Sequence, residues 1–184
     1  MKKKSPKKEL VSSRLQRSNW IYFLFFFSGI SGLIYQIVWT RMLTLVFGHT
    51  IYSVSVVLSA FMAGLGLGSY LWGTTIDKAG KPLLIYGKIE LLIGLSAAFL
   101  SLLFSNFSPI YAWIYKALPE LFFQTGFLKV ALVFSLVLIP TILMGATLPI
   151  MAKYFVTENT HTGKQVGYLY SINTFGAAAG CLLA

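Results

Sequence analysis

Charge is the scarcest property of this sequence: only 11% of its 184 residues are charged, fifteen basic and five acidic. Soluble domains carry roughly a quarter of their residues as Asp, Glu, Lys or Arg, so water is not the main solvent of this chain. Cys181 is the single cysteine, which excludes an intrachain disulfide and a cysteine-based metal site. Asp77 is the single aspartate, and an acid-rich site with a carboxylate base cannot be assembled from so few acids. His49 and His161 stand alone, without a second ligand at metal spacing, so no metal site is assigned. No cofactor is expected either.

What is present is length without charge. Five uncharged stretches, 18–40, 42–76, 91–115, 130–152 and 165–184, separate the charged residues. An α-helix needs about 20 apolar residues to cross the hydrocarbon layer, so each stretch can span a bilayer. The expected fold is an all-α, polytopic membrane helix bundle of about five transmembrane helices. Their expected bounds are 20–39, 51–73, 83–104, 128–152 and 166–184.

The net charge of +10 is concentrated at the amino terminus. Lys2, Lys3, Lys4, Lys7, Lys8, Arg14 and Arg17, offset by Glu9, make residues 1–19 a basic tail. The positive-inside rule puts that tail in the cytoplasm, where it can rest on anionic lipid. Lys78, Lys81, Lys153 and Lys164 then fall in inner loops. The chain is expected in the cell inner (plasma) membrane, multi-pass. The basic run lacks interleaved aromatics and leads straight into an apolar stretch, so nucleic acid is not an expected partner. The apolar run outlasts a signal-peptide core and has no cleavage site after it.

The connection from Ser105 to Gly126 holds Pro109, Pro119, Trp113 and two tyrosines. Ile110, Trp113, Ile114 and Ala117 fall at helical spacing, which predicts a short helix at the headgroup level. Asn106 to Ser108 matches a glycosylation triplet and carries little weight. Pro140 and Pro149 lie inside the fourth span and remove backbone donors there, predicting kinks.

Helix 2 carries Ala60, Gly64 and Gly68 at every fourth position, and helix 5 carries Gly176 and Gly180 among alanines. Small residues on one face let helix backbones approach closely, and packing explains both stripes. The connection after helix 2, with Gly73, Asp77, Lys78, Gly80 and Lys81, has the form G-x-x-x-D-[RK]-x-G-[RK]. It resembles the loop between the second and third helices of major facilitator transporters. That resemblance implies that Asp77 makes contacts holding the helices in one access state; an ordinary basic turn explains the same residues.

A wider set of segments is similar to the fused major facilitator/spermidine synthase family. They are Ser28 to Arg41 (SGISGLIYQIVWTR), Ala60 to Ser69 (AFMAGLGLGS), Glu90 to Gly94 (ELLIG), Pro140 to Pro149 (PTILMGATLP) and Tyr170 to Ala177 (YSINTFGA). The resemblance covers most of the chain after Trp20. It implies an incomplete major-facilitator-like half anchoring a cytoplasmic aminopropyltransferase-like domain, with a sixth helix after Ala184, and a role in moving a polyamine. The catalytic domain is absent here, with no glycine-rich nucleotide turn, so spermidine synthesis does not carry over and the chain alone is expected not to be an enzyme.

Polar residues inside the spans mark where the membrane part acts. Glu90 lies about two turns into helix 3, where a carboxylate is costly and faces a partner or a watery cavity. It is the leading candidate, against a neutral acid bonded to a neighbouring helix. Gln36 and Asn173 are the amides that would share a pocket with it; interhelical bonding is their ordinary role. Two other functions fit the same helices. One is a fragment of a facilitator that binds an organic cation through Glu90; the other is a non-transporting scaffold.

Overall fold

The computed structural model describes residues 6–48, 50–78, 80–106, 126–155 and 162–184. The short surface helix expected around Trp113, and His49 and His161, lie outside the described residues. The described ones form five α-helices: α1 (Pro6–Phe47), α2 (Thr50–Thr75), α3 (Pro82–Ser105), α4 (Gly126–Phe155) and α5 (Thr162–Leu183). A 3-10 turn, Ile76–Lys78, follows α2. All five contain a stretch long and apolar enough to cross a membrane, the first being Asn19–Leu45.

Helix 1 outruns its expected span at both ends. Its apolar span, Asn19–Leu45, begins where expected and runs past residue 39, and the helix that carries it extends further, from Pro6 to Phe47. Composition separates the basic tail from the apolar span, but helix formation depends on the backbone. Pro6 suits the first helical position, and neither glycine nor proline interrupts the chain before Gly29. At 1.5 Å per residue, the 42 residues of α1 make a rod of about 63 Å. It ends at Gly48, whose φ of +73° is a left-handed conformation that glycine adopts without steric cost. The Gly48 amide donates back to the Thr44 carbonyl at 2.9 Å. Helix 3 starts at Pro82, again a proline at the first turn.

The two most extensive helix pairs are α2 with α4 and α1 with α5. Glycine explains both. A β-carbon at Gly64 would collide with Thr141 Oγ1, and one at Gly68 with the Ile142 carbonyl oxygen. On α5, β-carbons at Gly176 and Gly180 would strike the carbonyls of Phe26 and Ile30. Ala60, in the same stripe, is fully buried. The stripes lie where these helices approach one another most closely. Gly29 and Gly145 approach their partners as closely and complete the two contacts from the other side.

Helix 4 runs unbroken through Pro140 and Pro149. Pro149 has no amide to donate to the carbonyl of Gly145, four residues earlier. Ser69 Oγ of α2 donates to that carbonyl at 2.9 Å. Thr141 Oγ1, next to the other proline, lies within 3.3 Å of the carbonyls of Ala60, Val137 and Leu138. Among the described residues no buried side-chain nitrogen or oxygen lacks a partner, as a medium without water demands.

Two apolar clusters fill the bundle. One gathers Trp39, Leu43, Val57, Phe61, Leu100 and Val137 towards the end of the α1–α2 turn. The other gathers Phe25, Ile76, Ile89, Ile150, Met151 and Leu169 towards the opposite end. The α1·α3 contact is much slighter than the α3·α4 contact, and this leaves a cleft between α1 and α3.

Candidate functional site

Glu90 sits eight residues past Pro82 on α3, about 12 Å along the helix axis from its start. It is half-buried. Ser28 of α1 donates its hydroxyl to Glu90 Oε1 at 2.6 Å, a short bond of the kind made to a charged acceptor. Tyr86 lies one turn before Glu90, where α-helical spacing puts both side chains on the same face. Its phenol faces both Ser28 and Glu90, and its side chain is buried.

These residues line the α1/α3 cleft of about 490 Å³, together with Ile21, Leu24, Phe27, Ser31, Leu83 and Gly87. That volume falls within the range of small-molecule sites. Ser31 spends its hydroxyl proton on the Phe27 carbonyl at 3.0 Å. The floor of the cleft therefore presents one carboxylate flanked by hydroxyl groups, and its walls are apolar. Such a floor accepts a hydrogen-bond donor or a cation; among the described lining residues Glu90 is the one carboxylate, and the Ser28 hydroxyl is bonded to it.

The other two intramembrane candidates do not line this cleft. Asn173 belongs to the α1/α5 contact: a β-carbon at Gly29 would meet its backbone carbonyl, with Asn173 Oδ1 at 3.0 Å. Gln36 lies two turns beyond Ser28 on α1, and its carbonyl accepts from Thr40 Oγ1 at 2.7 Å. In their place the structure brings Ser28 and Tyr86 to Glu90. Tyr86 was readable as an i, i+4 neighbour of Glu90; Ser28 requires knowing how α1 meets α3.

At the end of the bundle carrying the α2–α3 connection, Lys153 Nζ of α4 donates to Asp77 Oδ1 at 3.1 Å. The Lys153 and Asp77 side chains are 39% and 75% exposed, so solvent screens the pair. Gly73, Ile76, Asp77, Pro149, Ala152, Lys153 and Val166 surround a shallow cleft of about 340 Å³. Of the other loop-motif residues, Gly80 and Lys81 are exposed, and the side chain of Lys78 lies outside the described residues.

A third polar contact joins α1 to α3 nearer the other end, where the Trp39 indole donates to Ser101 Oγ at 3.2 Å. Trp39 is fully buried and stacks on Tyr35. This pair closes the interface above the Glu90 cleft. No family model, curated protein or solved structure matches the chain, and the α1/α3 cleft stands on its own geometry.

Proposed function

We propose that this chain is the membrane module of a protein of the fused major facilitator/spermidine synthase type, and that it binds an organic amine at Glu90. In this reading the amino terminus, the Asp77 connection and the start of α5 face the cytoplasm, and the module anchors an aminopropyltransferase-like domain. The observation that carries the proposal is the Ser28–Glu90 hydrogen bond at the floor of the α1/α3 cleft. A carboxylate held there by the Ser28 hydroxyl is suited to an ammonium ion, and ionisable groups at membrane depth mark ligand or ion pathways.

The pairing of helices also supports the facilitator-like half. If helices 1 to 3 form one repeat and helix 4 begins the next, α2 and α5 hold equivalent places. Each is the glycine-bearing middle helix of its repeat, and each packs on the first helix of the other repeat. The Asp77–Lys153 pair likewise joins the two repeats. The scaffold reading loses ground here, because Gly64, Gly68, Gly176 and Gly180 are consumed by contacts within the chain.

The test is binding of radiolabelled organic amines, from the monoamine dodecylamine to putrescine and spermidine, to the 184-residue chain in lipid nanodiscs, beside Glu90→Gln. Saturable binding that Glu90→Gln weakens at least about tenfold is expected, the scale of a lost charge-assisted hydrogen bond. Binding that is equal in both proteins would overturn the assignment of Glu90.

A further inference from the structure

The α1/α3 cleft has a direction. Its floor is made by Ile21 and Tyr86, which are 4% and 5% exposed, and its rim by Leu24 and Phe27, which are 55% and 46% exposed. Leu83, at 37%, completes the rim from α3. Helix 1 leans chiefly on α5, and α3 chiefly on α4. Among the described residues the space between α1 and α3 thus opens sideways, on the perimeter of the five helices.

The floor also has a limited capacity. Among the described residues Glu90 is the only carboxylate lining the cleft, and the Ser31 hydroxyl proton is already committed to its own helix. One carboxylate balances one ammonium. A polyamine would carry further ammonium groups along walls of leucine and phenylalanine, where an unpaired charge is strongly disfavoured. An alkyl chain, by contrast, gains from contact with those same walls.

We propose that the α1/α3 cleft takes a single-chain amphiphilic monoamine, with its ammonium on Glu90 and its hydrocarbon chain along Leu24, Phe27 and Leu83. This inference rests on the reading of Glu90 as an amine site and narrows the ligand class within it. A phospholipid with an amine headgroup shares the chemistry. Its headgroup, however, is held at the interface, whereas Glu90 lies about 12 Å inside from the start of α3, and two acyl chains would have to follow it.

The test uses radiolabelled dodecylamine, with spermidine and dodecanol as competitors, and the full 184-residue chain in phosphatidylcholine nanodiscs. Saturable dodecylamine binding is expected, undisturbed by dodecanol, which lacks the ammonium. Glu90→Gln, checked for unchanged helix content and a single size-exclusion peak, should weaken it at least about tenfold. Ser28→Ala, which keeps the carboxylate, should weaken it severalfold and guards against a folding artefact. Leu83→Trp should fill the rim and reduce dodecylamine binding. If spermidine binds in a Glu90-dependent way and dodecylamine fails to compete, this inference is overturned while the amine site stands. If neither amine binds, both fall. If phosphatidylethanolamine in the nanodisc abolishes dodecylamine binding, the occupant is a lipid headgroup and the single-chain assignment is overturned.

Discussion

Gly64 and Gly94 are both glycines inside apolar helices, yet a β-carbon has opposite consequences at the two. At Gly64 it would collide with the Thr141 side chain, with the Thr141 backbone carbon at 3.0 Å behind it; at Gly94 it would meet nothing within 4 Å. Gly64→Ala is expected to destabilise the bundle by about 1–3 kcal/mol, the usual range for overpacking. Gly94→Ala should cost nothing, and both are measured by reversible unfolding in mixed detergent. The sequence showed a stripe of small residues at Ala60, Gly64 and Gly68, but spacing alone does not say which helix receives it. Asp77→Asn tests the other end of the energy scale. The Asp77–Lys153 pair is largely exposed, so its loss should lower stability by no more than about 1 kcal/mol. That difference should shrink at high salt; a large effect that persists in salt would mean that Asp77 has a further, shielded partner.

At the scale of the helix, Pro149 and Ser69 form a compensating pair. The proline frees the Gly145 carbonyl, and the serine of the neighbouring helix supplies the missing donor. Ser69→Ala should therefore cost about 1 kcal/mol. In a Pro149→Ala background, where an amide returns to position 149, the same substitution should cost clearly less. Equal costs in the two backgrounds, read from a double-mutant cycle, would show that the serine does not act through the proline. The existence of all five helices was legible because uncharged runs of sufficient length are unambiguous. The ends of α1 were not. Charge marks where a helix leaves the hydrocarbon, whereas its backbone continues for as long as nothing interrupts it, here from Pro6 to Gly48.

For the whole molecule, what matters is how two glycine-sealed pairs, α2/α4 and α1/α5, are placed so that α3 touches α1 only lightly. That arrangement creates the Glu90 cleft, and it explains why the site was half legible. Glu90 announces itself by its charge within an apolar run. Its partner Ser28 is one of many serines, and it is selected only by the packing of α1 on α3. Gln36 and Asn173 attract attention by the same polarity, but Gln36 lies two turns further along α1 and Asn173 belongs to the α1/α5 contact, so neither lines this cleft. The most direct test of the account uses Gly87, a cleft residue at which a β-carbon meets nothing within 4 Å. Gly87→Cys is made in a Cys181→Ser background, because Cys181 is exposed. The rate at which a membrane-permeant maleimide modifies it is then measured with and without saturating amine. The account predicts that amine slows modification several-fold and that Glu90→Gln removes the protection; a rate indifferent to amine with Glu90 intact would contradict it.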